Sequence, residues 1–152
     1  MTDLEAVDLT GVRRLGAADH WLAVVATTRV DGSVHASLVS AGILEHPVTR
    51  EPTIGLVARG DARKLVHIRR EGRATVVFRS GWQWASVDGP AQVCGPDDVM
   101  DGLAPDRVAT LLRDVFRAAG GTHDDWDEYD RVMAQERRAA VLVTPARVIG
   151  NA

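Results

Sequence analysis

Cysteine is nearly missing from this sequence. Cys94 stands alone in 152 residues, so the chain has no internal disulfide framework and no thiolate cluster for a metal. Lysine is as rare: Lys64 is the only one, and every other strongly basic side chain is arginine. No apolar run reaches the ~18 residues that suggest a membrane span. The N-terminus carries no signal-peptide pattern, so a cytoplasmic location is the expectation. A basic surplus is missing too. The net charge of −3 and the few Phe and Tyr residues speak against nucleic acid as a partner. His20, His46 and His123 show no metal-ligand spacing, and no metal site is expected.

What remains is ordinary globular material. With 45% apolar and 26% charged residues, residues 1–152 are expected to fold as a single domain with a sizeable core. Aromatic residues make up only 5%, so the four tryptophans stand out.

The hydrophobic pattern predicts strands over 22–28 (LAVVATT) and 34–44 (VHASLVSAGIL), joined by an Asp31-Gly32 turn. Pro47 and Pro52 bracket a loop before a short strand at 53–58. Asp61 is placed to cap a helix over 62–70, with Leu65 and Ile68 on its inner face. Residues 73–79 and 82–94 form another strand pair, broken at Gly89-Pro90. The period then changes. Val108, Leu111, Leu112, Val115 and Phe116 form a helical stripe that ends at Gly120-Gly121. Thr122 and Asp125 resemble a capping box for a second helix to about 138, with Trp126, Tyr129 and Met133 along one face. Residues 139–148 read as the final strand. Six or so strands with one early helix point to a closed or split barrel.

The most informative stretch is 62–78, ARKLVHIRREGRATVVF. Arg63-Lys64, Ile68, the Glu71-Gly72 turn and the strand bearing Ala74, Val76 and Phe78 occur there in fixed order. Upstream stands Asp31-Gly32-Ser33-Val34-His35; downstream stands Trp82-Gln83-Trp84-Ala85-Ser86-Val87-Asp88-Gly89-Pro90-Ala91. In this order and spacing the chain resembles the flavin-binding split barrels related to pyridoxamine 5'-phosphate oxidase. The resemblance covers about residues 20–95, and more weakly the last strand. It implies a six-stranded antiparallel split barrel of the FMN-binding kind, with two helices inserted before the last strand.

The resemblance also implies a site. A basic pair in the first turn of a helix suits the phosphate on a flavin's ribityl arm, because charge, free N–H groups and the helix dipole act together. Taken by itself, Arg63-Lys64 reads as a solvated basic helix start; the resemblance makes both phosphate ligands. Asp61 opposes them, so its carboxylate must act as a cap or pair with a neighbouring arginine. Arg59 joins the candidate set. Ser37 occupies the second-strand position where the oxidase pattern has a phosphate-binding arginine, so one charge is lost. Backbone groups around Ser37, Val39 and Ser40 are implied to face the ring edge.

The oxidase's tryptophan-rich C-terminal motif is missing, as the chain ends TPARVIGNA. The chain therefore looks more like the branch that binds the deazaflavin coenzyme F420, which transfers hydrides to small organic acceptors. The GTHDDWDEYD segment is similar to that branch as well. FMN on the same fold is the alternative cofactor. A non-catalytic carrier of a deazaflavin, tetrapyrrole or lipid is the second alternative. The motif itself demands no catalytic acid or base.

Other residues keep two readings. Trp82 and Trp84, two apart on a strand, serve either core or dimer packing or cofactor stacking. His67 lies either near the ribityl chain or on the surface of its helix. His35 suits a core or an interface, and Cys94 suits a small buried apolar position. A barrel this small barely encloses its own side chains, so the cofactor groove is expected between the subunits of a homodimer.

Overall fold

The computed structural model describes residues 7–152. Helix α1 (Thr10–Ala18) precedes strands β1 (Leu22–Thr28), β2 (Val34–Glu45) and β3 (Pro52–Ala58). Helix α2 (Arg63–Glu71) leads to β4 (Arg73–Ser80) and β5 (Gln83–Cys94). A 3₁₀ turn at Pro105–Arg107, α3 (Val108–Ala118) and α4 (Trp126–Gln135) follow, then β6 (Ala139–Val143) and β7 (Arg147–Gly150).

All strand pairings are antiparallel, in the order β4-β1-β2-β3-β6-β5 with β5 closing back on β4. This is a closed six-stranded barrel, and β7 lies outside the circuit against β5. The expected split-barrel architecture with helices inserted before the last strand is present. Among the described residues no helix is long and apolar enough to cross a membrane.

The barrel interior is packed, not hollow. Val25, Ile54, Leu56, Val76, Phe78, Val87, Val141 and Val143 are fully buried there. Leu65 and Ile68 come in from α2, and Val12 and Leu15 from α1. Each such side chain contributes roughly 1.5–3 kcal/mol through burial. A second cluster forms outside the wall. Ala140 and Leu142 of β6 face outward onto Leu111, Leu112 and Val115 of α3 and Tyr129 of α4. Strand β6 is therefore buried on both faces, which explains its unbroken apolar run, AAVLV.

One helix is unforeseen, and four local expectations are corrected. Helix α1 has no forecast in the pattern, because only Val12, Leu15 and Gly16 are buried in its nine residues. Asp61 does not cap α2. Ala62 holds the cap position without a side-chain hydrogen bond, and the Asp61 carboxylate lies 3.6 Å from Arg59 instead. Helix α4 is capped by Asp125, which accepts from the Glu128 N–H at 3.1 Å, rather than by Thr122. Strand β5 does not break at Gly89-Pro90. It bends there, pairing with β4 through Pro90 and with β6 from Ala91 onward. The bend brings Thr144 so near that a Cβ on Gly89 would sit 1.8 Å from its carbonyl oxygen. The expected strand 139–148 is accordingly split by Thr144–Ala146, although Thr144 and Ala146 still donate to Pro90 and Asp88 carbonyls.

Candidate functional site

A split runs along β2. Its residues 41–45 pair with β3, but among the described residues 34–40 pair only with β1. Beside this open edge lies a cleft of about 490 Å³. Its walls come from four places: Val39 and Ser40 of β2, Val57 and Ala58 of β3, Lys64 at the start of α2, and Phe116 of α3. Arg59, Asp61 and Arg138 complete the polar rim. Helix α3 reaches this position because β2 carries Gly42, where a Cβ would lie 2.4 Å from the Ala118 backbone.

The α2 end of the cleft is suited to receive an anion for three reasons. First, the helix starts without a side-chain cap, so its first N–H groups keep their donor capacity. Second, Lys64 is half-buried, and burial pushes its ammonium pKa below the ordinary lysine value. Third, no salt bridge neutralises Lys64 or Arg63 among the described residues. Asp61 is engaged by Arg59, and Arg138 by Glu136 at 2.7 Å. An anion arriving at Lys64 would regain the solvation the lysine has lost.

The sequence-predicted residues divide accordingly. Lys64, Val39, Ser40 and Arg59 meet in the cleft. Arg63, Ser37, His67, Trp82 and Trp84 are not among its lining residues. Arg63 is exposed, one position round the helix from Lys64. Ser37 faces inward beside Val25, and its Oγ is buried without a hydrogen-bond partner among the described residues; His35 Nδ1 is likewise unpartnered. His67 is neither a surface residue nor a cleft residue. It is 4% exposed, its Nδ1 lies 2.8 Å from Thr27 Oγ1, and its ring meets His35 edge-on at 5.4 Å. Burial, then His35 and nearby arginines, hold its pKa below the usual histidine value. Trp82 sits in the turn before β5, 95% exposed, and Trp84 at the strand's start is partly exposed.

Sequence reasoning missed Phe116 and Arg138 as cleft residues. Phe116 reads as one more member of the α3 stripe, and Arg138 as one arginine among many. Only the docking of α3 and β6 beside β3 brings them to the rim.

With this geometry in hand, the chain can be compared with known proteins. No protein-family model matches it. Solved structures do. A pyridoxamine 5'-phosphate oxidase-related, FMN-binding protein from Nostoc punctiforme superposes with a TM-score of 0.65 at 13% identity, covering 97% of this chain and 85% of that one. The chain has the FMN-binding split-barrel fold. An F420 reductase shares this split barrel with a TM-score of 0.57 and 11% identity, over 87% and 91% of the two chains. So does HutZ, the heme storage protein from Vibrio cholerae, at 0.56 and 9%, over 94% of each. At these identities the likeness is one of split-barrel fold, and function must come from the site.

Proposed function

We propose that this chain is an oxidoreductase that binds coenzyme F420 in the cleft and serves hydride transfer between the reduced cofactor and a small organic acceptor. The observation that carries the reading is Lys64, the chain's only lysine: half-buried, without a salt bridge among the described residues, and set beside the uncapped start of α2. Phosphate is the chemistry this corner suits. Lys64 and the first N–H groups of α2 would hold it, with Arg63 adding charge from outside. The residues present thus fit a phosphorylated flavin or deazaflavin.

Bound there, the deazaflavin would supply a hydride-donating carbon. The protein's part is orientation and dryness. Val39 and Ser40 border the place for the ring, and Val57 and Phe116 exclude water from the cleft floor. FMN remains the alternative on the same grounds. A carrier of a tetrapyrrole or lipid is the second alternative, and the heme storage protein's shared fold favours keeping it. Against a heme, among the described residues the cleft lining contains no histidine, cysteine, methionine or tyrosine to serve as axial ligand.

A homodimer belongs to the proposal. Leu38 is 68% exposed and Ile149 52%, with Val24 and Trp84 also uncovered on the outer face of the barrel. Val24 and Leu38 are direct cross-strand partners, so the apolar surface is continuous across β1 and β2. A second copy packed here would cover it and close the open edge of β2. The test is turnover: reduced F420 mixed anaerobically with a panel of enones, nitroaromatics and quinones. Acceptor-dependent return of the oxidised cofactor spectrum supports the reading. Tight binding without turnover on any acceptor favours the carrier.

A further inference from the structure

A second cavity, of about 300 Å³, lies at the N-terminal end of α3, along the same helix face whose C-terminal end borders the cleft. It opens between α3, α4 and the segment 95–105 that leaves β5. Cys94, Met100, Leu103, Val108, Leu112 and Met133 line it. We infer that this cavity binds a small, neutral, aromatic molecule, at a site separate from the cofactor cleft.

Size, charge and softness each narrow the ligand. An apolar cavity of about 150 Å³ holds one benzene. Twice that volume suits two fused or linked rings. The charged side chains at its edge are all engaged. Asp98 receives two hydrogen bonds from Arg69, at 2.8 and 2.6 Å, and Asp130 receives two from Arg113, at 2.9 and 2.5 Å. Arg138 bonds Glu136 at 2.7 Å. A charged ligand would find no free counter-charge at this edge among the described residues, since each charged side chain already has its partner. A neutral one leaves these pairs intact. Three sulfur-bearing side chains, Cys94, Met100 and Met133, face the space. Apart from Met1, these are all the sulfur atoms in the chain. Thioether contacts with ring edges favour an aromatic over an aliphatic guest, and methionine adapts to its shape. The Cys94 thiol, pushed up by burial, stays neutral and adds no competing charge.

Arg138 lies on the wall of both the cavity and the cleft. It separates the two spaces, so an occupied cavity would brace the same arginine that borders the cofactor. The inference does not depend on what the cleft binds.

The experiment is a fluorescence titration of the full chain with N-phenyl-1-naphthylamine, a neutral two-ring probe that brightens in apolar surroundings. Ala109 on α3 and Ala134 on α4 both line the cavity yet are exposed, so A109W and A134W would plug its mouth without overpacking the core. Saturable one-site binding is expected in the parent chain, weakened at least tenfold in each variant. Alkylation of Cys94 by N-ethylmaleimide should slow when probe is bound. Absence of saturable binding, or equal binding in both tryptophan variants, would overturn the inference. Displacement of the probe by FMN would overturn it too, by placing the probe in the cleft. Thermal melts of the variants confirm folding, and the Cys94 protection on the parent chain decides the matter if either variant fails to fold.

Discussion

Lys64 and Arg63 are adjacent, of like charge, and both first-turn residues, yet the structure predicts very different consequences of removing them. Lys64 lines the cleft and is half-buried; Arg63 is exposed and outside it. A hydrogen bond to a charged group contributes about 1.5–3 kcal/mol. For a half-buried lysine the lower part of that range applies, about 1.5–2 kcal/mol. At 1.4 kcal/mol per decade, K64A should weaken cofactor binding by about 10- to 30-fold. Arg63 acts across solvent, where exposed charge contacts contribute ~0–1 kcal/mol, so R63A should cost at most about fivefold. Salt separates the two further. Raising ionic strength from 0.1 to 1 M shortens the screening length from about 10 to about 3 Å. The R63A deficit should then nearly vanish, while most of the K64A deficit persists. The assay is fluorescence titration of parent, K64A and R63A with F420 at both salt levels. Equal losses in the two variants, or a larger loss in R63A, would refute the reasoning.

Four further outcomes follow from particular contacts. His67 is buried with its pKa held below the ordinary 6.5, so the unfolded chain takes up a proton more readily. Stability should therefore fall as pH drops through about 6.5, and H67Q should flatten that slope in denaturant titrations at pH 5 to 8. F78A removes a fully buried ring from the barrel core; it should cost about 3–5 kcal/mol, read as a melting-temperature drop of about 6–20 °C. G42A should push α3 off β2, since its Cβ would meet the Ala118 backbone at 2.4 Å; calorimetry should show lower stability, and titration weaker cofactor binding. L38E places a charge on the exposed apolar face through which the homodimer is proposed to form; light scattering should find dimers for the parent chain and monomers for the variant.

The barrel was legible because its strands carry their own punctuation. Asp31-Gly32 marks the first hairpin, and the alternation in 73–79 survives as the buried-exposed pattern of β4. The α3 stripe was equally plain, with Leu111, Leu112 and Val115 buried as a set. The errors fall where tertiary contacts override local signals. Gly89-Pro90 reads as a break in isolation, but in the fold it is the bend where β5 passes from β4 to β6. Helix α1 is amphipathic over only two turns, and its role of covering the barrel end is invisible without the barrel. His67 illustrates the limit for the site. Spacing places it near Lys64, but three positions along a helix turn it inward to Thr27 instead. Phe116 and Arg138 enter the cleft through long-range docking, which no local pattern encodes.

The most direct test of the central claim is equilibrium binding of coenzyme F420, FMN and hemin to the purified parent chain, side by side. The account predicts saturable F420 binding, micromolar or tighter, competed by inorganic phosphate and strongest of the three. Hemin binding with no response to F420 or FMN would contradict it, and would make the chain a carrier built on the same barrel.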